Sequence, residues 1–492
     1  MSDTAYVLAV DQGTSSTKAV ALSADGAVRE GPSVPLSLAK PRPGWVEQDP
    51  LELLESVRTA LTAMAELVPG HVGAIGLSTQ RESALAWDAK TGEPLAPVLG
   101  WQDRRTAKRA TELKADHAAQ VRATSGLPID PMFSALKFEW LLNEIDPDRS
   151  KARRGRIRLG TVDSWLVYQL TGGFQIEAGN ASRTQLLDVR TGDWDEGLLE
   201  LFDIPRQSLP DVVRSDLSTP LDQPLPGLAG VALAGVLGDS HAALFAHGVR
   251  EPGTVKTTYG TGSSVMGLTD HQVPGDAGLV ETLAWQTETA AHAFEGNILA
   301  TGATLVWLSE ILGRPTDELA VLAESVPDSG NVNIVPAFSG LGAPWWDEQA
   351  VAIVEGFDLG SRPAHLARAA MESVVLQIED VLTRADDLVD GRIATVLADG
   401  GPASNDWLMQ CQADLSDRKV IRPAATCLSA LGAAHMAGLG IGLWSEADLD
   451  GLHRRGDEFA PSLRPADRLQ RITSWAHAVA RSRMPVPPLA DV

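Results

Sequence analysis

Short apolar runs alternate with longer stretches of helical spacing along the whole chain. Tyr6-Val-Leu-Ala-Val10 halts at Asp11 and the apolar run resumes at Lys18-Ala-Val-Ala-Leu22, which predicts a hairpin. Between the two arms lies Asp11–Thr17, with a single Gly for an unusual backbone angle. Its four hydroxyl residues, Thr14, Ser15, Ser16 and Thr17, offer donors to an anion. A second copy follows far downstream: Gly253–Thr258 leads into Tyr259-Gly-Thr-Gly-Ser-Ser264 and then Val265–Leu268. A Gly-Thr-Ser turn alone is commonplace, but two such hairpins about half a chain apart suggest duplicated halves.

Between and after the hairpins the periodicity predicts helices over Leu51–Leu67, around Phe138–Ile145, over Ala300–Leu312 and over Ala364–Leu388. Ala74–Ser78, Val231–Val236 and Ala394–Ala398 read as buried strands, and the alternation implies α/β units with strands covered by helices. Ser218–Gly227 is Pro-rich and reads as a surface connection, and the domain boundary falls near Phe245–Pro252. The expected organisation is residues 1–248, residues 249–445, and a tail over 446–492 packed on the second domain, with no chemistry assigned to the tail. The strand ending at Ala398 enters Asp399-Gly-Gly401, and Asn405 precedes Trp407-Leu-Met-Gln410 as the N-cap of a helix. Strand, Gly-Gly turn and helix start make a place where a nucleotide can lie close to the backbone, or else a plain turn.

Composition narrows the partners. The chain has 492 residues, 44% hydrophobic and 21% charged, as a soluble multi-domain α/β protein has. A net charge of −23 argues against a nucleic-acid backbone or an anionic membrane as partner. Met1–Val10 runs directly into the first strand without a basic region, so no signal peptide is expected, and no apolar stretch is long enough to span a bilayer. The two cysteines, Cys411 and Cys427, build neither a disulfide framework nor a CxxC site, and the histidines form no HxH or HExxH pattern. A reducing cytoplasmic location fits, and a homodimer is compatible with these features.

Phosphoryl transfer needs a cradle for phosphates, a cation shared with them, and a carboxylate that takes the proton of the attacking hydroxyl. Asp11, at the mouth of the first hairpin, suits hydrated Mg²⁺, though an Asx-turn would use the same residue. Asp239, in Gly238-Asp-Ser-His241, follows a buried strand and so stands where ligand clefts form, as general base or as a helix N-cap. Gln80-Arg81-Glu82 and Trp101-Gln-Asp-Arg-Arg105 also follow strands: Arg donates to a polyol, Glu accepts, and an indole covers C–H groups, unless these charges are merely solvated.

These segments, with Gly44–Pro50, Gly160–Asp163, Asn180–Thr184, Thr258-Tyr-Gly-Thr-Gly262, Gly340-Leu-Gly-Ala-Pro344 and Asp399-Gly-Gly401, occur in one order from residue 7 to about 445. The chain thereby resembles the FGGY carbohydrate kinases, and within them most closely the members that phosphorylate glycerol. The resemblance implies two actin-like, ribonuclease-H-like domains with the active site in the cleft between them, and ATP and Mg²⁺ as cofactors. It implies nucleotide contacts from Thr14, Ser15, Ser16, Lys18, Thr261, Gly262, Gly302, Gly401 and Asn405, with the Thr14–Thr17 turn facing the phosphates. Asp11 and Asp239 would serve the metal, Asp239 would be the base, and Arg81, Glu82 and Trp101 would hold the acceptor. Three pocket positions depart from the glycerol-phosphorylating pattern: Met132 replaces a Tyr, Ser240 a Gln and Ser264 a Phe.

The implied reaction moves the γ-phosphoryl group of ATP to a terminal hydroxyl of glycerol or a related four- or five-carbon polyol or ketose. The three departures lead us to expect loose binding of glycerol and a preference for a longer acceptor; the alternative within the family is a pentulose kinase such as a xylulokinase or ribulokinase. From other classes, an ATP-driven assembly module without a small acceptor and a phosphoester hydrolase share the fold. Hydrolysis that ignores every polyol separates the first from a kinase, and phosphate release without acceptor phosphorylation separates the second.

Overall fold

The protein is described by a computed structural model covering residues 5–452 and 456–484; Met1–Thr4 of the expected N-terminal reading, and residues 453–455 and 485–492 of the expected tail, lie outside the described residues. Two α/β units make up the chain. The first takes the chain up to Arg250, Glu281–Ala293 and the stretch from Cys427 that carries helices Leu428–Gly440 and Glu446–Asp450. The second takes Glu251–Val280, Phe294–Thr426 and the C-terminal stretch that carries helix Pro465–Ser482.

In the first unit, strands Ala5–Gln12, His71–Thr79 and Ala232–Gly238 lie parallel and adjacent. The hairpin partner Ser16–Ser23 and then Val28–Pro35 extend the sheet antiparallel on one side. Leu8, Val10, Ala19 and Ala21 send their side chains into a core with helix Pro50–Leu67, whose N-cap Asp49 accepts from Leu51 N. Because side chains alternate along a strand, the neighbours Val7, Ala9 and Val20 serve the other face, and they too are buried.

That other face receives helix Leu428–Gly440, which is why the three-block organisation expected from sequence differs from the observed one: the stretch from Cys427, expected in the second domain, belongs to the first unit. Its sequence, Leu-Ser-Ala-Leu-Gly-Ala-Ala-His-Met-Ala-Gly-Leu-Gly, is small and apolar on every side, as a helix buried all round must be. A Cβ on Gly76 would come within 2.3 Å of Ala433 O, and one on Gly235 within 2.4 Å of Ala437 N. The same helix meets helix Asp239–Ala246 even more closely, for a Cβ on Gly432 would lie 1.8 Å from Ala242 O.

The second unit repeats the hairpin, with Thr254–Tyr259 antiparallel to Ser263–Leu268 and parallel to Thr395–Gly400. Helix Pro363–Ala385 covers one face of this sheet, and Pro465–Ser482 packs against that helix through charge as well as apolar contact. Arg471 hydrogen-bonds Glu372, Arg468 Nη2 lies 3.1 Å from Glu379, and Trp475 Nε1 donates to Asp380 at 2.9 Å. Burial pushes the Glu379 and Asp380 carboxyls up to about 7 against these partners.

The glycine contacts give a direct test. Gly432→Val is expected to destabilise the first unit by about 1–3 kcal/mol, the usual cost of overfilling a packed site, read as a lower urea midpoint. Gly275→Val, where a Cβ meets open space, leaves the midpoint in place.

Candidate active site

The register of the three parallel strands gathers the predicted chemistry of the first unit at one edge. Asp11 pairs with Ser78, and Gln12 and Gly238 both pair with Thr79. Asp11, Arg81, Glu82 and Asp239 therefore leave the sheet together. Asp239 is the first residue of its helix and Gly238 is the N-cap, so the capping alternative for Asp239 does not hold. Its Oδ1 accepts Ser240 N–H at 2.6 Å and lies 3.2 Å from Arg81 Nε, which fixes the carboxylate's orientation.

Arg81 and Glu82 are 8% and 5% exposed, so they are no solvated pair at a strand end. Arg81 Nη1 approaches His241 Nε2 at 3.3 Å, and Arg183 Nε donates to Glu82 Oε1 at 2.6 Å. Glu82 has a left-handed backbone, φ 59°, a conformation that costs a non-glycine residue about 1–3 kcal/mol and tends to mark functional positions. Trp101, 37% exposed, donates from its backbone N–H to Ser83 Oγ at 3.0 Å and from Nε1 to Thr14 Oγ1 at 3.1 Å, tying the residue after Glu82 to the first hairpin. Met132 is half-buried at the start of helix Ser134–Ile145.

Asp11 is the electrostatically uneasy member. Burial first, and then the Asp239 carboxylate, push its pKa up to about 6 against the Ser78 hydroxyl, which donates at 3.0 Å, and the Lys18 charge. Asp11, pushed up by burial and by the neighbouring Asp239 carboxylate, is a donor short of a cation, so the pair suits a hydrated divalent ion.

The turn of the first hairpin is tighter than its sequence implies. The strands run to Gln12 and from Ser16, leaving Gly13, Thr14 and Ser15 as the turn. Ser15 is exposed and Ser16 partly so, while Lys18 projects to solvent from the second strand. Thr17, expected to face an anion with the others, instead points into the core, where its hydroxyl meets Ser56 Oγ at 2.6 Å. The alternation of side chains along the strand turns it away.

In the second unit the turn is Gly260-Thr261-Gly262. Its carbonyls cap the helix Gly302–Leu312: Thr261 O accepts from Thr301 N and Ala303 N, and Gly260 O from Gly302 N, each at 3.0 Å. The Gly302 N–H is thus committed, and the residue matters for its missing side chain, since a Cβ would lie 2.4 Å from Gly260 O. Gly262 is equally confined, 2.3 Å from Ile298 O. Gly401 differs, because a Cβ there meets nothing within 4 Å, leaving room for a ligand. Asn405 is the N-cap read from sequence, its Oδ1 accepting Leu408 N–H at 2.8 Å. Ser264 donates to Glu295 Oε1 at 2.9 Å.

Sequence reasoning missed Arg183, His241 and Ser78, although Arg183 stands inside the Asn180–Thr184 motif. A cavity of about 480 Å³ in the second unit, lined by Arg368, Glu372, Trp407 and Arg471 among others, shares no residue with these positions. Among the described residues, no helix is long and apolar enough to cross a membrane.

A phosphate-type hairpin in each unit, with a buried Arg–Glu turn and an oriented Asp at one sheet edge, is the equipment of a phosphotransferase acting on an alcohol. The chain belongs to the FGGY family of carbohydrate kinases, whose N-terminal domain matches residues 6–246 and whose C-terminal domain matches residues 255–441. It is 42% identical to the glycerol kinase of Aromatoleum aromaticum, over 97% of this chain and 99% of that one. Identity to the glycerol kinase of Citrifermentans bemidjiense is 41%, over 97% and 98%. The crystal structure of Plasmodium falciparum glycerol kinase with ADP superposes with a TM-score of 0.93 at 26% identity, covering 98% of this chain and 99% of that one. A xylulose kinase from Lactobacillus acidophilus, at 19% identity and a TM-score of 0.88 over 97% and 98% of the two chains, shares the fold.

The charge balance around Asp11 predicts a pH signature in the metal-free protein. A carboxyl raised to about 6 in the fold contributes stability that is complete below its unfolded pKa, near 4, and lost as the pH rises through 6. Asp11→Asn is therefore expected to match the wild type closely in urea unfolding near pH 3.5 and to exceed it at pH 8 by about 1–3 kcal/mol.

Proposed function

We propose that this chain is an ATP-dependent glycerol kinase in which Asp239 takes the proton from the acceptor's terminal hydroxyl. The observation that carries the reading is the buried Arg81, set between the Glu82 and Asp239 carboxylates at 3.9 and 3.2 Å. A guanidinium there donates to one hydroxyl of a polyol while Glu82 accepts from the next, and Asp239 is left beside the third, reacting one. Trp101 covers the carbon chain. The relatives' activity, at about 40% identity over nearly the full length, supports glycerol as the acceptor.

The remaining roles follow the same division. Thr14, Ser15, Ser16 and Lys18 in the first unit, and Thr261, Gly262, Gly302, Gly401 and Asn405 in the second, serve the nucleotide; the open space at Gly401 suits a ligand that needs close approach to the backbone. Asp11 and Asp239 would hold Mg²⁺, which when bound neutralises phosphate charge that these carboxylates alone would repel. Asp239, oriented by Ser240 N–H and Arg81, then needs only to accept a proton.

A second reading rests on Met132, Ser240 and Ser264. Met132 cannot donate the hydrogen bond of a Tyr, and the two serines replace larger side chains of the glycerol-phosphorylating pattern, so a four- or five-carbon polyol or ketose fits the same Arg81–Glu82 end.

A coupled ADP-release assay over glycerol, tetritols, pentitols and ketopentoses at matched concentrations tests both. Turnover with glycerol is expected to lead; a higher kcat/KM for a longer acceptor replaces glycerol by that acceptor, and ADP release indifferent to all of them removes the kinase reading. In the same assay Asp239→Asn is expected to lower kcat by about 10²–10⁴ with little change in KM for ATP; near-normal turnover would take Asp239 out of the base role.

A further inference from the structure

The Glu82 turn raises a mechanical question. A left-handed backbone at a non-glycine residue persists only where its surroundings over-determine it, yet the ion pairs with Arg81 and Arg183 hold the Glu82 carboxylate and leave its peptide unaddressed. The peptide is held from helix Ser134–Ile145. Ser134 Oγ donates to Glu82 O at 3.0 Å and Lys137 Nζ donates to the same oxygen at 3.1 Å. The Lys137 ammonium also donates to Met132 O.

Lys137 is fully buried, with a relative exposure of 0%, in a stretch whose other members, Ala135, Leu136, Phe138 and Leu141, are core. It cannot reach solvent. Burial pushes its pKa down to about 7, although Glu82, Asp103 and Asp130 favour the charged form against Arg104. Burying an ammonium costs more than burying an apolar side chain of similar length, so apolar packing does not account for the residue. Geometry does: one ammonium spans two carbonyls that belong to the two sides of the acceptor pocket, the polar Glu82 turn and the Met132 wall.

We propose that Lys137 is a positioning residue of the acceptor site, which by donating to the carbonyls of Glu82 and Met132 locks the left-handed Glu82 turn and fixes its distance from the Met132 wall. The proposal rests on the reading of Arg81 and Glu82 as the acceptor contacts. Small displacements of a binding group cost large factors, so the effect falls on the acceptor and spares the nucleotide. Met132 lacks the hydroxyl of the Tyr it replaces, which leaves the pocket with fewer direct contacts and makes its spacing count for more.

The experiment compares wild type, Lys137→Met, Lys137→Ala and Ser134→Ala by steady-state ADP release, with folding followed by circular dichroism and ATP affinity by calorimetry without acceptor. Lys137→Met is expected to raise the acceptor KM about tenfold or more, with ATP affinity within twofold of wild type. Propylammonium, the fragment that Lys137→Ala deletes, is expected to restore part of that variant's acceptor KM, while tetramethylammonium at equal ionic strength does not. A folded Lys137→Met with wild-type acceptor KM overturns the proposal, and so does a parallel loss of ATP affinity, which is what general loosening produces. If Lys137→Met fails to fold, Ser134→Ala decides: a rise of about threefold in acceptor KM alone supports the shared hold on Glu82 O, and no rise overturns it. Wild-type ADP release that ignores polyols defeats the acceptor-site reading itself, a result distinct from any of these.

Discussion

Like charges crowded at one sheet edge set the terms for everything else in the site. Three adjacent parallel strands end in register, and they deliver the Asp11, Glu82 and Asp239 carboxylates to the same place. Partial burial makes each of these charges expensive unless compensated. Glu82 and Asp239 are compensated by guanidinium groups, Arg81 and Arg183, that are themselves buried. Asp11 is not, and its pKa stands near 6 with only a serine hydroxyl and a solvent-facing lysine in its favour. The edge is therefore left short of positive charge at Asp11.

The glycines of the two units divide by the same logic of space. Those at 262 and 302 let backbone segments meet where any side chain would collide, so they shape the second hairpin against the start of a helix. Gly401 collides with nothing and keeps its surroundings open. A substitution at the first group damages the fold, whereas one at Gly401 has space to be accommodated.

Much of this was legible in the sequence. Both hairpins, the strand ends that carry Arg81 and Asp239, the Asn405 cap and the long helix Pro363–Ala385 follow from apolar periodicity and turn chemistry. Thr17 was misread because the hairpin turn is shorter than the run of hydroxyl residues that contains it. Arg183 and Lys137 were invisible as partners of Glu82, since their contacts span about a hundred and about fifty residues and leave no trace in local spacing. The return of Cys427 and the two helices after it, Leu428–Gly440 and Glu446–Asp450, to the first unit was missed for the same reason. A hint was present all the same: a helix made almost wholly of Ala, Gly, Leu and Met, with no charged side, is at home between two other layers.

That helix also dictates an order of events during synthesis. Helix Leu428–Gly440 seals the sheet that begins at Ala5, and it touches strands laid down more than three hundred residues earlier. Until the ribosome has released it, one face of the N-terminal sheet stays uncovered, because contacts of such sequence separation form late. The first unit cannot close as an independent N-terminal domain would. Nascent chains therefore carry one apolar face of that sheet uncovered through most of translation. Truncations before residue 428, however cleanly they end after a strand, leave that second face of the sheet with nothing to cover it.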